Sequence, residues 1–421
     1  MSVPRGPLSW IALGLLAGCS GGFGGGGAGV DTGDWTPPDH AAEDEALLRE
    51  AIAGEVDAAE ALATIARRGG LPIAAEDGTF LFACLCGDGA WRVGGDFNGW
   101  AGGDMTQAGA LWWLAAEVPV PDGSRYKLVN GYDDDTWMSD PMGRRFAWDD
   151  FGELSLVRED DAHLERFYAF ADDAGALAPR DLQVWVPEDR EYTHLLLAHD
   201  GQNLFDPHPA PPATSWHLDQ SLPDDMLVVG IDNTADRFWE YTHVTDRISD
   251  TVVGGGAATY GAFVEAAVRP FVEAHYGPPQ VRGLMGSSLG GLVSVVISQD
   301  HPDVYDMALS LSGTMGWGSI GQDGPTVVDR HRALGHQGAA LYIDSGGSGA
   351  CYDADGDGVP DDDPAASDNY CENAWYRDVL SSELGYAFDT DLWHWHEAGA
   401  SHSESAWAAR VWRPLELFGD R

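Results

Sequence analysis

From Asp181 onward, short apolar runs recur at intervals that leave room for a helix between them. Leu182-Gln183-Val184-Trp185-Val186, His194-Leu195-Leu196-Leu197-Ala198 and Met226-Leu227-Val228-Val229-Gly230-Ile231 are followed by Val281 to Met285, Met307 to Leu311 and Ala340 to Ile343. Longer helical stretches such as Ala262 to His275 lie between them. Runs too short for buried helices, alternating with helical segments, predict a doubly wound α/β sheet over residues 181–421.

One pentapeptide places chemistry on that sheet. Gly286-Ser287-Ser288-Leu289-Gly290 fits G-x-S-x-G, with an apolar strand before it and a helical run from Leu289 to Ile297 after it. A serine at the tip of so sharp a strand-to-helix turn needs small neighbours, which Gly286 and Gly290 supply. The pattern alone is weak in a chain with 54 Gly, since Gly18-Cys19-Ser20-Gly21-Gly22 also matches it. Context singles out Ser288 as the nucleophile. A serine hydroxyl requires a base, and in chains with this elbow the histidine follows the last strand. Leu392-Trp393-His394-Trp395-His396 alternates as that strand, so His402 in the loop beyond it is the expected base, ahead of a closing helix over Arg413 to Phe418.

The same region resembles the esterase family that includes enterochelin esterases, feruloyl and acetyl-xylan esterases, esterase D and the mycolyltransferases. The matching residues are His199-Asp200-Gly201-Gln202-Asn203-Leu204-Phe205-Asp206, Val229-Gly230-Ile231-Asp232-Asn233 with Arg237 and Glu240-Tyr241, the elbow, and Ser401-His402-Ser403-Glu404. The resemblance implies an α/β-hydrolase fold and an oxyanion hole from backbone N–H groups at Gly201, Gln202 and Leu289. It implies a catalytic acid a few residues past Leu341-Tyr342-Ile343-Asp344-Ser345-Gly346. Here Gly347-Ser348-Gly349-Ala350-Cys351 intervenes, so Asp344 and Asp368 stay open as alternatives, with Glu372 a weaker third. Arg237 and Glu240 read as an ion pair or pocket wall.

The intervening segment, 351–371, has chemistry of its own. Asp353, Asp355, Asp357 and Asp361 stand at positions 1, 3, 5 and 9 of a turning loop with Gly358 at position 6. Hard oxygen ligands on such a loop suit Ca²⁺, with the Val359 carbonyl as a further ligand. Pro364 rather than Glu at position 12 excludes an EF-hand, and the run resembles the aspartate repeats of thrombospondin type 3. Cys351 and Cys371 bracket it and are expected to pair, which makes the segment a structural calcium clip holding the acid-bearing loop. Cys84 and Cys86 would share one strand face, where a bridge is strained, and their pairing stays open.

Ahead of the sheet, residues 39–77 carry helical spacing and residues 78–158 alternate with period two. Thr79-Phe80-Leu81-Phe82-Ala83, Leu111-Trp112-Trp113-Leu114, Arg125-Tyr126-Lys127-Leu128-Val129 and Trp137-Met138 are separated by Gly and Asp turns. This predicts a small immunoglobulin-like β-sandwich. It resembles the early-set modules of glycogen-branching enzymes and enterochelin esterases, most specifically at Gly95-Asp96-Phe97-Asn98-Gly99-Trp100. Some of those modules bind α-glucans through exposed Trp, which requires two Trp on one outer face. The expectation here is that Phe97, Trp100 and Trp113 are core.

The front of the chain reads as an address. Arg5, an apolar stretch from Leu8 to Leu16 and then Leu16-Ala17-Gly18-Cys19 resemble a bacterial lipoprotein signal over 1–18, with Cys19 lipidated. Residues 19–38 are a Gly-rich tether. The expected protein is exported and held in the cell envelope by its lipid alone. A formal charge of −45 from 68 acidic and 23 basic residues argues against a nucleic-acid partner, which needs clustered Lys and Arg. The expected activity is hydrolysis of a carboxylic ester, on a small molecule as in enterochelin esterases or on a polysaccharide as in feruloyl and acetyl-xylan esterases. The alternative is a non-catalytic glycan-binding lipoprotein.

Overall fold

The computed structural model describes residues 35–131, 136–172, 174–208 and 214–421. The signal segment, Cys19 and most of the tether lie outside them.

Six parallel strands form the heart of the molecule, in the order Leu392–His396, Ala340–Ser345, Met307–Leu311, Val281–Ser287, His194–His199, Met226–Ile231. Five of the six are buried at every or nearly every position, as sheets covered on both faces require, which is why they read as continuous apolar runs. Helix Leu289–Asp300 is buried at eleven of its twelve residues and packs on the strand before it. The chain order of the strands reverses beside Val281–Ser287, whose neighbours are His194–His199 and Met307–Leu311. In open α/β sheets such a switch point, at the carboxyl ends of the strands, is where ligands sit.

Past Met226–Ile231 the sheet turns antiparallel through Arg180–Val186 and His163–Phe170. It then continues, by the pairs Leu164 with Phe146 and Glu165 with Arg145, into the N-terminal β region. Residues 80–156 form two facing sheets. One contains Phe80–Cys84 and Leu111–Ala116, and the other, made of Trp91–Gly95, Arg125–Asn130 and Gly152–Leu156 among others, is the extension of the hydrolase sheet. Phe82, Trp112, Val93, Tyr126 and Leu128 pack between the two. The fold is thus an α/β-hydrolase-like mixed sheet with an additional N-terminal antiparallel region, and the strand His163–Phe170, absent from the sequence expectation, joins them.

Residues 39–77 contain two helices, Ala41–Ala53 and Ala58–Arg67. Asp57 caps the second by accepting from the Ala59 and Glu60 N–H groups at 2.9 and 3.0 Å. Leu48, Leu62 and Ile65 bury their apolar faces against Leu81 and Leu111.

One pairing that the sequence left open is settled, the expected Cys351–Cys371 pair forms, and one expectation fails. Cys84 and Cys86 are joined by a disulfide, as are Cys351 and Cys371. The strand ends at Cys84 and the chain leaves the pleat there, so the two residues do not share the flat strand face that would oppose a bridge. Phe97 packs on Phe82 and Trp113 on the Leu81 side of the core, but Trp100 joins neither core. It faces Trp137 at a ring separation of 6.0 Å in a hollow also lined by Lys127 and Phe151. Trp137 is 42% exposed and Phe151 86%.

Candidate active site

Ser288 stands between strand Val281–Ser287 and helix Leu289–Asp300 with φ 55° and ψ −122°. A non-glycine residue in that region costs about 1–3 kcal/mol, and the surrounding backbone enforces it. A Cβ on Gly286 would lie 2.5 Å from the Gly290 carbonyl carbon, and one on Gly290 would lie 3.2 Å from Asp200 Oδ2. The turn therefore closes only with glycine at the first position. The backbone of Ser288 is fixed on both sides, donating to Leu311 O at 2.9 Å and accepting from the Thr314 N–H at 3.2 Å.

His402 arrives from the loop after Leu392–His396 and places Nε2 2.9 Å from Ser288 Oγ. Its Nδ1 lies 2.7 Å from Asp368 Oδ1. A carboxylate only accepts, so the proton sits on Nδ1 and Nε2 faces the serine hydroxyl as an acceptor. Asp368 is fully buried, and Trp407 packs edge-on against the imidazole at 4.9 Å.

Of the two carboxylates left open by the sequence, Asp368 reaches His402 and Asp344 does not. Asp344 is the penultimate residue of its strand and lies inside the molecule, where Arg410 grips both its oxygens at 3.1 Å. Tyr342 and the Ser312 N–H donate to it as well, each at 3.1 Å. The same Arg410 reaches Ser312 Oγ at 2.6 Å and Asp368 Oδ2 at 3.3 Å. One guanidinium thus neutralises Asp344 and steadies the far oxygen of Asp368, leaving Oδ1 for the histidine. Glu372 does not reach His402 either. It accepts from the Gly316 N–H at 2.6 Å, and burial pushes its carboxyl up to about 8.

On the other side of the serine, Gly201–Asn203 forms one tight turn after strand His194–His199. Gly201 is required there, since a Cβ would lie 2.5 Å from the Gly230 carbonyl carbon. Gln202 is anchored by its side chain, whose Oε1 accepts from the Asn233 N–H at 3.1 Å. Leu289 opens its helix, and N–H groups in a first helical turn have no acceptor within the helix. The elbow and the Gly201 turn meet where Asp200 approaches Gly290. Asp200 is held by Arg237 at 2.7 Å to each oxygen. Arg237 and Glu240 are therefore not partners of one another: Glu240 forms a buried pair with Arg180. Each of the two side chains thus pairs with a residue from another segment, which adjacency along the chain could not reveal.

The insertion does fold back onto the site. Asp362 accepts from the Asp368 N–H at 3.0 Å, the Tyr370 N–H at 2.9 Å and the Cys371 N–H at 2.6 Å. That single side chain sets the start of helix Tyr370–Ser382 and the backbone of Asp368 together. Carboxylate oxygens of Asp353, Asp355 and Asp361 lie within 4.8 Å of one another. Asp357, expected with them, instead accepts from Ser319 and from the Val359 N–H.

Sequence reading missed Arg410, Asp362, Ser312 and Thr314. Thr314 Oγ1 lies 3.5 Å from Ser288 Oγ and accepts from Asn369 Nδ2 at 3.3 Å. Arg410 is one of three arginines after His402, with Arg413 and Arg421, and nothing in the sequence sets it apart.

A curated relative, the uncharacterized protein YbbA of Bacillus subtilis (strain 168), is 30% identical over 122 residues, which is 27% of this chain and 47% of that protein. The match thus spans about half the relative's length. Among solved structures, the enterobactin esterase FES of Shigella flexneri is 14% identical, with a TM-score of 0.43 over 81% of this chain and 93% of that one. The siderophore hydrolase EstB of Aspergillus nidulans is 18% identical, with a TM-score of 0.42 over 63% and 96%. At those scores the likeness implies no shared substrate. The family described as "Putative esterase" matches residues 178–411, a span that holds the elbow, both flanking loops and His402. By that match, over more than half its length, the chain belongs to this esterase family.

Proposed function

We propose that the protein is a serine esterase that cleaves a carboxylic ester through an acyl-enzyme. The observation carrying this is the unbroken line from Ser288 Oγ to His402 Nε2 at 2.9 Å and from His402 Nδ1 to Asp368 Oδ1 at 2.7 Å. Ser288 attacks the ester carbonyl as its proton passes to Nε2. Asp368 holds Nδ1–H and balances the imidazolium that forms. The oxyanion is received by N–H groups of Leu289 and the Gly201-Gln202 turn, each donor contributing about 3–4 kcal/mol. His402 then protonates the leaving alcohol, and water activated at the same nitrogen releases the acid. A fluorophosphonate probe should label Ser288, and short p-nitrophenyl esters should be turned over. Both signals should vanish in Ser288→Ala; persistence of either in that variant would refute the assignment.

The insertion supports a structural Ca²⁺. Asp353, Asp355 and Asp361 converge with oxygens of the kind the ion takes, whereas the Asp357 carboxylate is occupied elsewhere. Bound there, the ion would offset repulsion among the three carboxylates and hold the chain that leads through Asp362 to Asp368. The envelope lipoprotein reading rests on the signal-like front and Cys19; metabolic labelling with palmitate, lost in Cys19→Ser, tests it.

A second reading concerns the N-terminal region. Trp100 and Trp137 share one outer hollow, which meets the requirement for glycan binding. This supports retention on a polysaccharide alongside catalysis, and glucan affinity lost in Trp137→Ala is its test.

A further inference from the structure

A cleft of about 330 Å³ opens beside Ser288, walled on one side by the acidic insertion. Its link to the nucleophile is Thr314, which lines the cleft and whose Oγ1 lies 3.5 Å from Ser288 Oγ. Asp357, Asp361, Asp362 and Glu372 line it, with apolar surface from Ile320 and Val359, and no Lys, Arg or His of the described residues does so. The arginines closest in the fold to the catalytic groups are already engaged. Arg237 is bidentate to Asp200, and Arg410 is buried on Asp344 and Asp368. Glu372 adds no charge to this wall near neutral pH, since burial pushes its carboxyl up to about 8, and its Oε2 accepts from the Gly316 N–H at 2.6 Å.

A partly enclosed cleft with acceptors on its walls and no free cation discriminates by charge. An anionic group entering it meets like charge and no counter-ion, whereas an ammonium group meets the carboxylates of Asp357 and Asp362. We infer that this cleft receives one arm of the ester and selects substrates bearing a cationic group, disfavouring anionic ones. The inference rests on Ser288 being the nucleophile and names the substrate class for that site. Asp357 is the specificity residue that reaches the cleft without touching the catalytic groups, since its partners are Ser319 and the Val359 N–H.

The test uses three acetate esters of alcohols matched in size, one carrying a quaternary ammonium, one a tert-butyl group and one a carboxylate. A second trio carries the same groups on the acyl side. All are assayed with the calcium-replete, oxidised protein. In one of the trios, kcat/KM should fall by roughly tenfold from the cationic to the neutral ester, and again to the anionic one. The spread should narrow in 0.5 M salt. Asp357→Asn should reduce the ratio of cationic to tert-butyl kcat/KM severalfold, and a ratio it leaves unchanged would count against the charge selection. Equal rates across both trios, or an anionic preference, with Ser288-dependent turnover intact, would overturn the charge selection alone. Absence of turnover and of fluorophosphonate labelling would overturn the nucleophile assignment and this inference with it.

Discussion

Two buried aspartates a few ångströms from one arginine have opposite duties. Asp344 lies within its strand, short of the place where the family pattern puts the acid, and is spent on Arg410, whereas Asp368 from beyond the insertion takes the histidine. Asp368→Asn should lower kcat by about 10⁴, because an amide there favours the wrong imidazole tautomer. Asp344→Asn should leave kcat within about tenfold of wild type. It should also destabilise the fold by about 3–5 kcal/mol, measured by denaturant unfolding, because Arg410 loses its main counter-charge while buried. The reverse pattern would make Asp344 the acid. Ser288 and His402 were legible because sterics confine the elbow to small residues and chain order confines the base. The acid was not legible, because whether a loop of more than twenty residues folds back depends on contacts such as Asp362 with the Asp368 N–H, which leave no spacing rule.

The insertion and the helix after it act as one element. Asp362→Ala should lower kcat, since it frees the Asp368 backbone that holds the carboxylate on His402. Chelation with EGTA should lower the thermal midpoint, and Asp353→Asn should abolish that difference; a midpoint indifferent to EGTA would remove the calcium clip. Glu372 carries a sign that can be checked. Its folded carboxyl is pushed up to about 8 from an ordinary value near 4.5. Between those values the folded state holds a proton that the unfolded state has released, so stability falls as pH rises through that window and levels off above it. Asp140 and Asp232, raised to about 6 and 7, act in the same direction. The readout is therefore the difference: Glu372→Gln should gain stability over wild type at pH 8 relative to pH 5. Most strands here were legible from apolar runs. Strand His163–Phe170 was hidden, because it buries Glu165 among His163, Arg190 and Tyr276, and no apolar pattern marks such a strand.

At the scale of the whole molecule, the sequence separates a β-sandwich from an α/β domain, whereas the structure runs one sheet through both. Shared hydrogen bonds at Leu164 with Phe146 make the N-terminal region a cover for a sheet edge. Removing residues up to 158 should therefore expose strand His163–Phe170 and yield an aggregation-prone protein, seen as loss of monomer in size-exclusion chromatography. A stable, monomeric and active truncation would show that the two regions are independent. The net charge of −45 belongs to this scale too, since it lowers the local concentration of anionic substrates around every opening.

The central claim is covalent chemistry at Ser288, and it is tested most directly in the first turnover. Enzyme at micromolar concentration is mixed with excess p-nitrophenyl acetate in a stopped-flow cell, and the quenched protein is digested and weighed. The account predicts a burst of p-nitrophenol equal to the active sites, with the acetyl mass on the peptide containing Ser288 and absent from Ser288→Ala. Turnover that leaves no acyl mass on that peptide, and persists in Ser288→Ala, would contradict it.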